Sequence, residues 1–484
     1  MYSKVDRSTI TGMCIYQEAT IREAMESIGR GELGIALIVN SSNREFLGLI
    51  TDGDIRRALI NGIELTDSIS NVQRPQSLAV SESETPSEIA AKFTDRIRII
   101  PIINEQNQIV DVATYDKRVH LPIAETLLGG NELVYVTDCI VSNWISSSGK
   151  YVKMFEDNFA KFTGTKYAVA TSNGTTALHL AILVSGIGPG DEVLVPSVSF
   201  IATANAVTYT GATPIFVDID PQTWTLDPLQ LEAAITDKTQ AIIPVHLYGH
   251  PSDMDPILKI AADHDLTVIE DAAEAHGATY KGQTVGGIGD LAIFSFYGNK
   301  IITTGEGGMI TTNSKELASK IKVLRDHGMS VSKRYWHTVL GYNYRLTNMQ
   351  AAVGVAQLEK IDRILEAKLG IARMYNKLLH NIPGILLPPH KEWAENVYWL
   401  YSIVITDEFG LSRDSLMEKL GQLGIESRPF FPPMHQQPIY NTGVKLPVSE
   451  RVSQNGLSLP SSAGMSKQMV QRIAENIIDI QRSS

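Results

Sequence analysis

Cysteine is almost absent: a chain of 484 residues holds two, Cys14 and Cys139. That excludes a disulfide framework. Neither cysteine stands in metal-ligand spacing, so no metal centre is expected, and a reducing cytoplasm is the expected compartment. Long hydrophobic runs are also missing. No apolar stretch approaches the roughly 20 residues that span a bilayer, and residues 1–10 are polar and charged rather than an apolar leader. Excess positive charge is lacking as well. With 42 Lys and Arg against 53 Asp and Glu the formal net charge is −11, which excludes a general binder of nucleic acid or of anionic membranes. One local exception runs from Lys320 to Arg345, where Lys322, Arg325, His327, Lys333, Arg334 and His337 crowd a stretch poor in acids. The length sets an expectation of about three domains, each able to bury its own core.

What is present begins with a repeat. Thr20-Ile21-Arg22-Glu23 reads as a helix N-cap with its capping box, and Ile21, Ala24, Met25 and Ile28 then mark one helical face. Thr85-Pro86-Ser87-Glu88 repeats the start signal, with proline suited to a first helical position. Each predicted helix leads into two short apolar strands, Ile35–Val39 and Phe46–Ile50 in the first copy, Ile99–Ile103 and Ile109–Ala113 in the second. This tandem β-α-β-β pattern over residues 1–120 resembles a pair of cystathionine-β-synthase (CBS) domains, most closely at Gly48-Leu49-Ile50-Thr51-Asp52-Gly53-Asp54. The resemblance implies a nucleotide ligand whose ribose is held by Thr51 and Asp54. In the second copy Asp111 replaces the glycine and Lys117 the ribose aspartate, so one competent site at most is expected, and a pair kept only for assembly or folding is the alternative.

Past a short linker at Pro122 the pattern changes to α/β. Ala168–Thr171, Glu192–Pro196, Thr213–Val217, Ala241–Val245, Thr267–Glu270 and Leu291–Phe296 read as nearly continuous apolar strands, separated by helical stretches such as Ala177–Val184 and Met254–Asp263. Such alternation predicts a mostly parallel sheet covered on both faces, with ligands beyond the carboxyl ends of its strands.

Three motifs fall at those ends. Thr171-Ser172-Asn173-Gly174-Thr175-Thr176 joins a strand to a helix, where free N–H groups suit a phosphate, although small residues also cap many helices. Glu270-Asp271 closes another strand, and an aspartate there can keep the pyridine nitrogen of a cofactor protonated. The third is Phe294-Ser295-Phe296-Tyr297-Gly298-Asn299-Lys300, followed by Thr303-Thr304-Gly305-Glu306-Gly307-Gly308. An apolar strand that ends in serine, then glycine and lysine, nominates Lys300 as an amine able to capture an aldehyde, of which pyridoxal phosphate is the obvious example.

Taken together and in this order, the motifs resemble fold-type I pyridoxal-phosphate enzymes, and within them the DegT/DnrJ/EryC1/StrS sugar aminotransferase family, over residues 121–484. The matching segments include Ser172–His179, Pro196–Asn205, Pro244–His250, Glu270–Ala275 and the lysine segment. The resemblance implies a large cofactor-binding domain with an N-terminal arm at 121–350 and a small C-terminal α/β domain at 351–484. It implies that Gly174, Thr175 and Ser295 donate to the cofactor phosphate, that Phe200 stacks on the pyridine ring and that Asp271 pairs with its nitrogen. Glu274 would face the ring hydroxyl, and Lys300 would be the Schiff-base residue. Asn343 would be lent to the phosphate by a neighbouring subunit, making a homodimer the smallest working unit. His246 and His276 are open between lining the site and serving the core.

Ser332–His337, Asn343–Asn348 and Arg428–Gln436 look most like the branch of that family that aminates GDP-4-keto-6-deoxymannose with L-glutamate as donor. Lys333, Arg334 and Arg428 are then candidate clamps for the diphosphate, Trp336 a cover for a base or sugar, and Arg345 an anchor for the glutamate carboxylate. A UDP-linked 4-keto sugar is the alternative substrate. Two other classes stand beside this reading. A dehydratase on the same fold carries histidine in place of the lysine, which Lys300 opposes. The other is a nucleotide-sensing regulator with an inactive transferase domain, which the joint presence of Asp271, Ser295 and Lys300 opposes.

Overall fold

A computed structural model describes residues 7–31, 33–72, 77–84, 89, 92–93, 97–114 and 121–483. The chain divides into two compact units, Met1–Leu121 with Gln422–Gly424, and Pro122–Gly421 with Ile425–Ser484.

In the first unit the capping box forms at the helix Ile21–Gly31: Glu23 Oε2 accepts from the Thr20 N–H at 2.7 Å, and the Glu23 N–H donates to Thr20 Oγ1 at 3.3 Å. Strands Ile35–Val39 and Phe46–Thr51 pair antiparallel, as do Ile99–Ile103 and Ile109–Thr114 in a second three-stranded sheet. The predicted helix start at Thr85–Glu88 and the departure at Lys117 lie outside the described residues.

The second unit is built on a seven-stranded sheet. Its strands are β1 (Tyr167–Thr171), β2 (Glu192–Pro196), β3 (Thr213–Val217), β4 (Thr239–Ile242), β5 (Thr267–Asp271), β6 (Leu291–Ser295) and β7 (Gly308–Thr312), in the order β1-β7-β6-β5-β4-β2-β3. β7 runs antiparallel to both β6 and β1, and every other neighbouring pair is parallel. β4 is shorter than its apolar run. Pro244 has no N–H to give the ladder, although its carbonyl still accepts from the Asp271 N–H at 2.9 Å.

Alternation along β6 shows why its residues fold this way. Leu291 and Ile293 face the apolar layer that includes Ala177, Leu178 and Ala181 of the helix α1 (Gly174–Val184), while Ala292, Phe294 and Phe296 face the opposite layer. There Phe294 meets Phe159 edge-on at 4.9 Å, and Phe296 meets Phe155 at the same centroid distance. Burial of such rings stabilises by roughly 1.5 to 3 kcal/mol each, which clamps β6 from below and leaves Ser295 on the side of α1.

A second sheet, antiparallel and four-stranded, pairs Ile385–Leu386, Tyr401–Ile405, Gly456–Leu459 and Arg428–Pro429 in that order. A helix over Asn348–Leu358 runs through position 350 without interruption. Among the described residues no helix is long and apolar enough to cross a membrane.

Candidate functional site

The site is assembled at the carboxyl ends of β1, β5 and β6. Thr171, Gly308 and Ser295 are register partners across β1, β7 and β6, so they form one row at that edge. The loop after β1 crosses this row closely: a Cβ on Gly308 would lie 2.3 Å from the Asn173 carbonyl oxygen, and one on Gly174 would lie 2.9 Å from Ser295 Cβ. Glycine at both positions is therefore what lets the start of α1 sit against Ser295. Asn173 caps α1, its Oδ1 accepting from the Thr176 N–H at 2.9 Å. The capping reading of this loop thus holds for Asn173 and Thr176, and the N–H groups of Gly174 and Thr175 remain in the first helical turn, where no intrahelical acceptor reaches them.

β5 delivers Asp271, which is 7% exposed. Its Oδ2 accepts from the Thr203 hydroxyl at 2.8 Å and its Oδ1 from the Ala273 N–H at 3.2 Å. Burial pushes its pKa up despite these donors and the positive charge of Lys300, so a cation placed against it would be strongly favoured. Glu270, one residue earlier, points to the other face of β5 and is structural. It accepts from His246 Nε2 at 3.1 Å and from the N–H groups of Gly286, Ile288 and Gly289. Burial alone would raise its pKa, but those donors hold it low. His246 is thereby assigned to the core. His276 is packed among Phe159, Phe294 and Phe296, and burial drives its pKa down to about 3, so it is neutral.

Beyond β6 the chain turns at Tyr297–Lys300, closed by the Lys300 N–H donating to the Tyr297 carbonyl at 2.9 Å. Lys300 Nζ comes to 3.5 Å from Glu274 Oε1. Burial lowers the pKa of Lys300, opposed by Glu274 and Asp271, while burial raises that of Glu274. An amine and a carboxyl brought toward each other in this way exchange a proton readily.

Phe200, an aromatic at a strand end that core packing alone would explain, is instead 56% exposed, its ring 5.9 Å from Phe431. Asn343 and Arg345 lie together, the Arg345 Nε donating to Asn343 Oδ1 at 3.0 Å. Their segment abuts the loop after β1, since the Ser172 N–H donates to the Tyr344 carbonyl at 2.9 Å. Arg345 also pairs with Asp326 at 3.0 Å. Lys333 Nζ lies over the Trp336 ring at 3.9 Å and Arg334 over Tyr335 at 4.9 Å, both pairs on an exposed stretch, and Arg428 faces Glu426 at 3.4 Å. The basic stretch is more neutralised than its sequence suggests: Lys320 pairs with Glu316, and Arg325 with Glu156 at 2.6 Å.

Three residues at the site were not singled out by their sequence. Thr203 supports Asp271, Tyr248 donates its N–H to Glu274 Oε2 at 2.8 Å, and Trp399 spreads its ring beneath the Lys300 amine. The arrangement fits pyridoxal phosphate: helix-start N–H groups at Gly174 and Thr175 suited to a phosphate, a buried carboxylate, an uncovered aromatic face and a buried amine.

In the first unit Thr51 and Asp54 hold each other. The Thr51 N–H and hydroxyl donate to Asp54 Oδ2 at 2.9 and 2.7 Å, the Asp54 N–H returns a bond to Thr51 Oγ1, and Arg57 takes Asp54 Oδ1. They form the capping box of the helix Asp52–Ile60.

Comparison with known proteins places this geometry. The profile of the DegT/DnrJ/EryC1/StrS aminotransferase family matches residues 127–478, and that of the CBS domain matches residues 11–61. GDP-perosamine synthase of Caulobacter vibrioides is 50% identical over 356 residues, covering 73% of this chain and 96% of its own. GDP-perosamine synthase of Escherichia coli O157:H7 is 46% identical over 362 residues, covering 74% and 98%. Among solved structures, S. venezuelae DesV in complex with a ketimine intermediate superposes with a TM-score of 0.69 at 36% identity, over 72% of this chain and 94% of its own. The PLP form of Spr1654 from Streptococcus pneumoniae gives 0.71 at 30% identity, over 75% and 99%. A buried lysine at the carboxyl edge of a mostly parallel sheet and the family profile over most of the length agree: the chain belongs to the DegT/DnrJ/EryC1/StrS aminotransferase family.

Proposed function

We propose that the chain transfers the amino group of L-glutamate to GDP-4-keto-6-deoxymannose, giving a 4-amino-4,6-dideoxy sugar nucleotide for surface polysaccharide or glycan synthesis in a reducing cytoplasm. That it is a pyridoxal-phosphate-dependent sugar aminotransferase follows from its family. The observation that carries the chemistry is the Lys300 amine, buried 3.5 Å from Glu274, its pKa lowered by burial against the charges of Glu274 and Asp271. The GDP sugar rests on the similarity to three proteins named GDP-perosamine synthase, at 50%, 46% and 42% identity.

Bound pyridoxal phosphate supplies an electron sink for the charge left when the donor's α-carbon loses its proton. The chain does the rest. The Gly174 and Thr175 N–H groups at the start of α1, with the Ser295 hydroxyl, bind the phosphate. Phe200 offers its exposed face to the ring, and Asp271, fixed by Thr203 and Ala273, keeps the ring nitrogen protonated. Lys300 would take up at Nζ the proton lost from the α-carbon of the amino acid, with Glu274 next to it to share the charge. The enclosed position of Lys300, whose side chain is 10% exposed, limits competing exchange with water.

Lys333, Arg334 and Arg428 are the proposed diphosphate clamps, Trp336 the cover for base or sugar, and Arg345 the anchor for the glutamate carboxylate, for which it must leave Asp326. A homodimer lends Asn343 across to the phosphate. It is supported by the exposed apolar side chains Leu133, Val134, Ile140, Val141 and Trp144, which are grouped on and just after the helix α2 (Glu132–Val141) and suit an interface between copies. Assay with glutamate and a panel of GDP- and UDP-linked 4-keto sugars tests the substrate. The expected kcat/KM for the GDP sugar exceeds that for any UDP sugar by at least about tenfold, a difference of about 1.4 kcal/mol in transition-state binding. Equal or better turnover of a UDP sugar refutes the assignment of guanosine.

For the N-terminal unit the proposed ligand is a purine nucleotide held by Thr51 and Asp54, tuning the transferase. Such a ligand has to share or displace the capping box, so Asp54→Ala should both weaken binding and destabilise the helix Asp52–Ile60 by about 1 kcal/mol. Calorimetry with adenine and guanine nucleotides decides. Binding that Asp54→Ala abolishes supports the sensor, and no heat from either class leaves an assembly module.

A further inference from the structure

Two groups hold the Lys300 amine. Its Nζ lies 3.6 Å from the centroid of the Trp399 ring and 3.5 Å from Glu274 Oε1. Both partners are fixed from behind. The Trp399 Nε1–H donates to the Asn299 carbonyl at 2.7 Å, one residue before the lysine, so ring and amine share an anchor. The other face of the arrangement is Tyr248, whose ring stacks on Trp399 at 6.2 Å and 22° and whose N–H holds Glu274 Oε2 at 2.8 Å. Tyr248 does this at φ +53°, a left-handed value costly for a bulky residue, and the next residue is a glycine whose added Cβ would lie 3.0 Å or less from the backbone N atoms of Tyr398 and Trp399. Strain at Tyr248 and close packing at Gly249 thus bring one loop against both partners of the amine.

Resting on the reading of Lys300 as the amine that serves the cofactor, we propose that Trp399 is a positioning residue: its indole face and the Glu274 carboxylate form a holding site for Lys300 whenever that amine is free. The charged and titratable groups around the amine agree with this. Asp271 is turned toward Thr203 and Ala273, His276 is neutral, and Glu274 is the carboxylate that reaches Nζ. A carboxylate alone would draw the amine into one ion pair, whereas a π face on the other side holds it from a second direction without adding a further charge. An aromatic face holds a cation about 2- to 30-fold more firmly than an aliphatic surface does, the upper end applying to desolvated sites. The holding site also gives a role to a tryptophan that is 95% buried with its indole N–H satisfied.

The test uses the full-length protein saturated with pyridoxamine phosphate, the form in which Lys300 is free. Tryptophan emission is compared in the native protein, Lys300→Met, Trp399→Phe and the double variant. An ammonium over an indole face perturbs its emission, so Lys300→Met is expected to shift the spectrum in the native background and to leave it unchanged in the Trp399→Phe background. Superimposable native and Lys300→Met spectra overturn the holding site. In turnover, Trp399→Leu is expected to lose about tenfold in kcat with the KM for glutamate within about twofold, and Trp399→Phe, which keeps an aromatic face, to stay within about threefold of native. Trp399→Phe falling as far as Trp399→Leu, or neither falling, also overturns it. Failure of the functional reading shows separately, as borohydride fixation of the cofactor on a lysine other than Lys300.

Discussion

The Lys300→Ala protein is expected to keep its fold and bind pyridoxal phosphate, yet to lose turnover by about four powers of ten or more. Binding survives because its contacts lie elsewhere, at Gly174, Thr175, Ser295, Phe200 and Asp271. Turnover does not, because among the described residues Lys300 is the amine buried at the meeting point of β5 and β6, and Glu274, a carboxylate, cannot supply an amine in its place. The same variant reports on shared sites. Mixed with Asn343→Ala and allowed to exchange subunits, it should regain activity, since a mixed dimer has one site carrying both lesions and one carrying neither. Full activity of Lys300→Ala alone, measured against the native protein with glutamate and the keto sugar, contradicts the account, and no regain on mixing contradicts the lent Asn343.

Asp271→Asn is expected to lower kcat by two to four powers of ten, about 3 to 5 kcal/mol. The amide keeps the size of the side chain and can still accept from Thr203 or Ala273, so packing changes little. What goes is the negative charge. Burial raises the pKa of Asp271, and a protonated ring nitrogen beside it acts in the opposite direction, so ionised carboxylate and protonated ring stabilise one another. The absorbance of the bound cofactor should shift as the ring nitrogen loses its proton. Near-normal kcat with an unshifted spectrum means that Asp271 serves only to order Thr203 and the Ala273 turn.

Much of the scaffold was legible where local sequence decides local structure. The capping box at Thr20–Glu23, and the strands Glu192–Pro196 and Thr213–Val217, stand where their patterns put them, because a cap or a buried apolar run is specified by adjacent residues. β7 was not legible. It opens on Gly308 at the end of the glycine-rich run Gly305–Gly308, which reads as a loop, and it forms because β1 and β6 offer an unpaired edge on either side. The same division runs through the site. Lys300, Asp271 and Gly174 sit in motifs that stand out by their order along the chain taken together. Thr203, Tyr248 and Trp399 matter through partners distant in the chain, and nothing next to Trp399 signals that its ring lies beneath Lys300. Thr51 and Asp54 show the reverse: the two residues expected to hold a ribose are those of a helix cap, and both readings predict the same pair of side chains in contact.

Lys300 as the residue that carries the cofactor is the central claim, and reduction with borohydride tests it most directly. Full-length protein purified with pyridoxal phosphate should be yellow, and after reduction and proteolysis the cofactor should be found by mass spectrometry on the peptide that contains Lys300, with none on the same peptide when the protein is first converted by glutamate. Recovery of the cofactor on another lysine, or on none, contradicts the account.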